Sequence, residues 1–208
     1  MSAAAGLASL RAMGRPLVTT RDAAVRLGCS TSAASHVLRR LADAGVVLAI
    51  RRGLWALELN VDPMQLAAWV TAPYPSYVSL WSALHAHGML AQIPRETHVV
   101  SVGRPQRIET ALGILVVHRV MPEVFGGYEI SNDVPLATPA KAIFDLAYLS
   151  ASHGQRFQHL PELELGRTYR HQEAQLWVSK IKSARLRTMT LDRVHVIEQG
   201  AGVAAASM

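Results

Sequence analysis

Six polar side chains, Thr31, Ser32, Ser35, His36, Arg39 and Arg40, step along the chain by one, three, one, three and one residues. On an α-helix those intervals gather them on one side. Hydroxyls lie toward the start and cations further on. Ser and Thr can bond base edges or phosphates, and Arg can pair bidentately with guanine. Small side chains at the start let such a helix approach the floor of a groove. The chemistry this pattern suits is readout of double-stranded DNA, not bond making.

A helix must carry that face. Ser30 is placed to cap it, and Gly45 supplies a left-handed end after Ala44. Its apolar positions, Ala34, Val37, Leu38 and Leu41, follow the i, i+3, i+4, i+7 template. Before it, Arg21 to Leu27 reads as a brief helix capped by Thr19 or Thr20 and stopped by Gly28. Gly28-Cys29-Ser30 makes the turn between the two. A further helix is expected over residues 5–13. After Gly45 the period changes: Val46 to Ile50 and Leu54 to Leu59 read as strands around an Arg51-Arg52-Gly53 turn. Together these predict a winged helix-turn-helix over residues 1–60. Arg51 and Arg52 at the wing tip would reach the flanking backbone or minor groove. Thr20 and Arg21, at a helix start, would hold phosphate. About four to six phosphate contacts follow, each adding roughly −0.9 to the salt slope of log affinity.

The charge distribution agrees. Residues 1–60 carry eight Arg against three acids, 61–166 six basic against nine acidic, and 167–208 seven basic against three acidic. Positive ends around an acidic middle suit a polyanionic partner. Half the residues are hydrophobic and 17 % are charged, which predicts a folded chain with a sizeable core. Cys29 is the single cysteine, so no intramolecular disulfide can form; it is expected to be a small buried residue in a reducing cytoplasm. No leader segment and no run of ~20 apolar residues is expected. No membrane partner is implied.

The rest reads as a small α+β domain over 61–150, with a mostly antiparallel sheet. Its elements are helices over Pro63–Val70, from Ser79 to Gly88 and from Thr138-Pro139 to about Leu149, with strands at 97–102, 106–110, 113–120 and, weakly, 128–130. Residues 151–199 are expected to be a connector and C-terminal helices, with one helix over His171–Arg187 and another over Leu191–Gln199. A disordered tail is expected over 200–208. The fold class is therefore α+β.

Other candidate chemistry is sparse. His85 and His87 are two apart on a helix, and His98 and His118 lack a matching ligand pattern, so no metal site and no cofactor are expected. Lys141 and Asp145, four apart, read as a surface ion pair. No nucleophile motif appears, so no catalysis is expected. Arg167, Arg170, Lys180, Lys182, Arg185 and Arg187 form a second basic segment: a solvated helix face, or further contact with DNA or another partner.

The order of these motifs resembles the AbiEi-type antitoxins of bacterial abortive-infection toxin–antitoxin systems. The likeness rests on Arg51-Arg52-Gly53-Leu54-Trp55, on Tyr77 to Leu84 followed by His87-Gly88, on His98 to Ser101, and on Ala137 to Ala142 with Asp145-Leu146. It covers about residues 15–150; Ala140 stands where the family suggests an acid. The resemblance implies an autorepressor that binds inverted repeats upstream of its own operon. It further implies opposition to a nucleotidyltransferase-like toxin without a stable complex. In that family the winged helix represses and the C-terminal domain serves neutralisation. Two alternatives stay open: a stand-alone ligand-responsive winged-helix transcription factor, and a metal-dependent nuclease. Self-association is not decided by the sequence.

Overall fold

The computed structural model describes residues 3–153 and 162–203. The chain divides into two compact units, Met1–Pro63 with Glu109–Gly113, and Met64–Ile108 with Ile114–Met208.

The first unit runs α1 (Ala3–Arg11), β1 (Leu17–Thr19), α2 (Thr20–Leu27), α3 (Thr31–Asp43), β2 (Leu48–Arg51) and β3 (Leu54–Ala56). Local chemistry sets its boundaries. Thr19, not Thr20, is the cap of α2: its hydroxyl oxygen accepts from Asp22 N at 3.1 Å. Gly28, at φ 62°, ends α2 in the left-handed region that glycine enters without strain. Ser30 Oγ accepts from Ala33 N at 3.2 Å and opens α3. Gly45 takes φ 69° just after α3. The apolar stripe of α3 then buries Ala34, Leu38 and Leu41 against a core that includes Leu10, Val18, Ala23, Val47, Trp55 and Leu57. Leu38 is fully buried, so truncating it to Ala costs about 2–5 kcal/mol.

The three strands form an antiparallel sheet in the order β1-β3-β2. Helix, strand, two helices and a hairpin, in that order, make a winged helix-turn-helix. β1 has no counterpart in the sequence reading, because three residues are too few for a period to show. Cys29 corrects another expectation: it is exposed. It follows the left-handed Gly28, and its N–H donates to Ala24 O at 3.0 Å. That closing bond belongs to the turn, and the turn faces outward.

The second unit begins with α4 (Ala67–Thr71), β4 (Ser76–Val78), α5 (Leu80–Ala86), β5 (Glu96–Ser101) and, apart from their tip at Glu109–Gly113, β6 (Gln106–Thr110) and β7 (Gly113–Arg119). β8 (Tyr128–Ser131), β9 (Val134–Ala137), α6 (Pro139–His153), β10 (Glu164–Leu165), α7 (His171–Ser179), α8 (Ala184–Gly200) and β11 (Gly202–Val203) complete it. Six strands form a sheet in the order β6-β7-β5-β4-β9-β8. β4–β5 and β8–β9 are antiparallel, and a two-residue link makes β6–β7 antiparallel as well. β4–β9 and β5–β7 are parallel. The fold class is thus α+β with a mostly antiparallel sheet. The β8–β9 turn places Asn132 at φ 49° and Asp133 at φ 62°, the primed-turn conformation that Asn and Asp tolerate best among side-chain-bearing residues.

The C-terminal region departs from expectation. The single helix expected over His171–Arg187 is broken between Ser179 and Ala184. Ser183 adopts an extended ψ of 117°, and its hydroxyl accepts from Leu186 N at 3.4 Å, so a new helix starts there. Ala174, Val178 and Ile181, with Val194 and Ile197, join Phe144, Leu146 and Tyr77 in one core. Residues 163–197 are thus part of the same hydrophobic body as the sheet. Within the expected tail, Gly202 and Val203 pair in parallel with Glu164 and Leu165; residues 204–208 lie outside the described residues, as does 154–161 of the expected connector.

Lys141 and Asp145 are not on the surface. Both side chains are fully buried, with Nζ 2.5 Å from Oδ1. Lys141 also donates to Val124 O at 2.7 Å. Its Nζ lies 4.5 Å and 4.6 Å from the ring centroids of Phe144 and Trp177. Asp145 Oδ2 accepts from Ser79 Oγ at 2.7 Å and from Tyr77 OH at 3.1 Å. Burial pushes the Asp145 carboxyl up and the Lys141 ammonium down, and each partner opposes the other's shift. The i, i+4 spacing signals proximity along a helix; which side of α6 faces the core is decided by the sheet and by α7 and α8 packed around it. Ser79, expected as the first residue of a helix, stands as the N-cap of α5 but gives its hydroxyl to Asp145 and not to the helix backbone.

Candidate nucleic-acid interface

The outer face of α3 carries the residues singled out by spacing. Thr31, Ser32, His36, Arg39 and Arg40 are exposed and Ser35 is half-buried. Their side of the helix is opposite Ala34, Leu38 and Leu41, which hold α3 on its core. The first turn of α3 presents only small side chains, since Ala33 is exposed beside Thr31 and Ser32. Arg39 and Arg40 stand two turns further along.

The wing is built by β2 and β3. Arg51 ends β2 opposite Leu54, so the turn proper is Arg52-Gly53, with Gly53 at φ 81°. Both arginines are exposed. The base of the wing is fastened to α2. Thr20 N donates to Gly53 O at 3.0 Å, and Trp55 Nε1 donates to Thr20 Oγ1 at 2.9 Å. This revises the role expected of Thr20. Its N–H is spent on the wing turn and its oxygen on an indole, so Thr20 positions the wing, while Arg21, exposed on α2 beside it, keeps its side chain outward.

Not every arginine of this unit serves the surface. Arg11 donates to Leu57 O through Nε at 3.2 Å and Nη2 at 3.0 Å. Arg26 Nε donates to Ser9 O at 3.0 Å. These two tie α1 and α2 to their neighbours by capping backbone carbonyls.

The second basic segment does not form one continuous face along a helix. Arg167 and Arg170 precede α7, while Lys180, Lys182, Arg185 and Arg187 follow it. All six are exposed. Nine helical residues put about 13 Å between the two groups. Lys180 lies over the Trp177 ring at 3.5 Å, and Lys182 is 3.9 Å from Glu123.

Two histidine groups stand apart from the winged helix. His98 Nδ1 and His118 Nε2 share a 3.0 Å hydrogen bond between β5 and β7. They line an open cleft of about 490 Å³ together with Glu96, Gln106 and Arg107. Burial lowers His98 to about 4 against a smaller upward pull from Glu96. The second group is His171, His195 and Glu198, the one set of three or more metal-type ligands that converges among the described residues. Sequence reasoning passed over it. Its local signal is a His and a Glu three apart on α8, and its third member comes from another helix. No cluster of carboxylates of the kind a nuclease needs occurs among the described residues, and no described helix is long and apolar enough to cross a membrane.

Residues 7–58 match the family described as transcriptional regulator, AbiEi antitoxin. The match begins inside α1 and ends just after β3, so the winged helix is similar to that of the AbiEi-type regulators. No curated protein matches the chain.

Proposed function

We propose that this protein is a sequence-specific DNA-binding autorepressor and the antitoxin of a toxin–antitoxin operon, acting in the cytoplasm. The observation that carries the reading is the exposed face of α3, hydroxyl-bearing at its start and cationic beyond, on a helix held by a buried apolar stripe. In helix-turn-helix proteins the second helix enters the major groove with its N-terminal residues toward base edges. Here Thr31, Ser32, Ser35 and His36 meet the bases and sugars, and Arg39 and Arg40 reach guanine or phosphate. Arg51 and Arg52 hold the flanking backbone, and Arg21 a phosphate near the start of α2. Thr20 keeps the wing in place. The partner toxin, nucleotidyltransferase-like by resemblance, is opposed through the second unit without a stable complex.

The test is binding of the purified chain to the DNA just upstream of its own gene, against scrambled DNA, at two salt concentrations. Tight, selective and salt-sensitive binding is expected. Equal, weak binding to both DNAs refutes autorepression and leaves the winged helix as a docking module. The ligand-responsive alternative calls for a deep apolar pocket. The clefts of the second unit are open and bordered by charged groups, Glu96 and Arg107 in one, Glu129, Arg170 and Glu173 in the other, which favours the simple repressor.

A further inference from the structure

His171 is the first residue of α7, and His195 and Glu198 lie three apart near the end of α8. The spacing of three puts the last two on one face of their helix. The two helices bring the three side chains together so that one ligand atom from each lies within 4.8 Å of the others. His171 Nδ1 is 2.5 Å from Glu198 Oε1, and the rings of His171 and His195 are near-parallel with centroids 6.0 Å apart. Tyr169 OH donates to the same Glu198 oxygen. The carboxylate is therefore already oriented by a neighbour that is not itself one of the three. His195 and Glu198 are half-buried and His171 is exposed, so the group opens to solvent on one side.

We propose that His171, His195 and Glu198 form a binding site for a divalent transition-metal ion of the zinc class. Two imidazoles and one carboxylate are borderline donors that select Zn²⁺, Ni²⁺ or Co²⁺ over Ca²⁺ or Mg²⁺, which demand mainly oxygen. Zinc bonds to imidazole nitrogen and carboxylate oxygen are about 2.0–2.2 Å long and set at tetrahedral angles, so ligand atoms around one ion lie about 3.4 Å apart. From a spread of up to 4.8 Å, side-chain rotation must draw the wider pairs in by about 1.4 Å, while the direct 2.5 Å His171–Glu198 contact opens by about 0.9 Å to admit the ion. Tyr169 then serves as the outer partner that orients a ligating carboxylate, an arrangement usual around metal sites. Three protein ligands leave a fourth position for water on the open side.

The place in the fold gives the ion a structural role. β10 ends shortly before His171, and β11 begins shortly after Glu198. A metal joining the start of α7 to the end of α8 clips together the elements that bring β10 and β11 into register. Binding to the folded form alone raises stability with ion concentration, by mass action. This inference is independent of DNA binding.

The experiment uses untagged, chelator-stripped full-length protein. Titration with Co²⁺ should give one equivalent bound, with visible d–d absorption in the range of nitrogen and oxygen ligation. Zn²⁺ should displace it and raise the midpoint of thermal unfolding. His195→Ala and Glu198→Gln should each weaken Zn²⁺ at least tenfold, while His98→Asn leaves it unchanged. Glu198→Gln keeps the side-chain shape, so its folding can be verified by circular dichroism. No stoichiometric Co²⁺ spectrum in the wild-type chain overturns the proposal, and so does equal Zn²⁺ affinity in wild type and Glu198→Gln. A loss of affinity in His98→Asn alone would relocate the ion to the cleft and equally overturn it.

Discussion

Trp55 of the wing donates its indole N–H to Thr20 Oγ1 at 2.9 Å, so the return strand of the hairpin is bonded to the first residue of α2. The two residues are 35 apart in sequence, and both sit between the wing and the helix-turn-helix. With Thr20 N bonded to Gly53 O, this fixes where the wing arginines stand relative to α3 within the same unit.

Trp55→Phe should keep an aromatic ring in the core, lose the donor and leave a small gap where the larger indole stood. Net stability should fall by about 1 kcal/mol for the hydrogen bond plus a further cost for the gap, read by urea unfolding. Affinity for the upstream DNA should also fall, because the wing loses its tether. Unchanged affinity with reduced stability would show that Gly53 O and Thr20 N suffice to hold the wing.

Arg39 and Arg40 separate from Arg52 by the kind of loss. Arg39→Ala or Arg40→Ala should cost about 1–3 kcal/mol on the specific site where that arginine reads a guanine, and much less on scrambled DNA. Arg52→Ala should weaken both DNAs alike and make the slope of log affinity against log salt shallower by about 0.9. Fluorescence anisotropy over a salt series measures all three. If both Arg39→Ala and Arg40→Ala bind like wild type, α3 does not read bases with this face.

The Lys141–Asp145 pair should behave as a buried pair does. Lys141→Met alone leaves a buried carboxylate without its counter-charge, held only by Ser79 and Tyr77, and should cost about 3–5 kcal/mol, whereas replacing both residues by apolar ones of similar volume should recover most of that loss. Equilibrium unfolding of the two variants decides it. A single variant with wild-type stability would mean that Ser79 and Tyr77 satisfy Asp145 unaided.

His98 sets an acid limit. Its folded pKa, about 4, lies below the ordinary 6.5 because burial disfavours the imidazolium. Between those values the unfolded chain binds the proton and the folded chain does not. The contribution is complete above pH 6.5 and is lost as pH falls toward 4, amounting to about 3 kcal/mol over the window. His98→Asn should flatten the dependence of unfolding free energy on pH between 6.5 and 4. A slope as steep as wild type's would assign the loss to other groups.

The sequence by itself determined the winged helix. Its signals are local: Ser30 as cap, Gly28 and Gly45 as left-handed ends, an apolar stripe at helical spacing, and a polar stripe opposite it. Each works through bonds or contacts within a few residues, and so each leaves a trace at a fixed offset. The exposed polar face of α3 followed from the same periodicity, because a helix with one buried side must show the other. Tertiary structure alone decided what depends on distant partners. β1 is a strand only because β3 lies beside it. Ser183 looked like one more polar position on a continuous helix, yet it starts a new one because α7 and α8 both pack their apolar sides into one core. Cys29 is outside because the turn holding it is, whatever its own hydrophobicity. An i, i+4 Lys and Asp fit a surface or an interior equally well; burial was settled by the sheet and by Phe144 and Trp177 around them. The grouping of His171 with His195 and Glu198 arose in the same way, since no offset along the chain encodes the meeting of two helices.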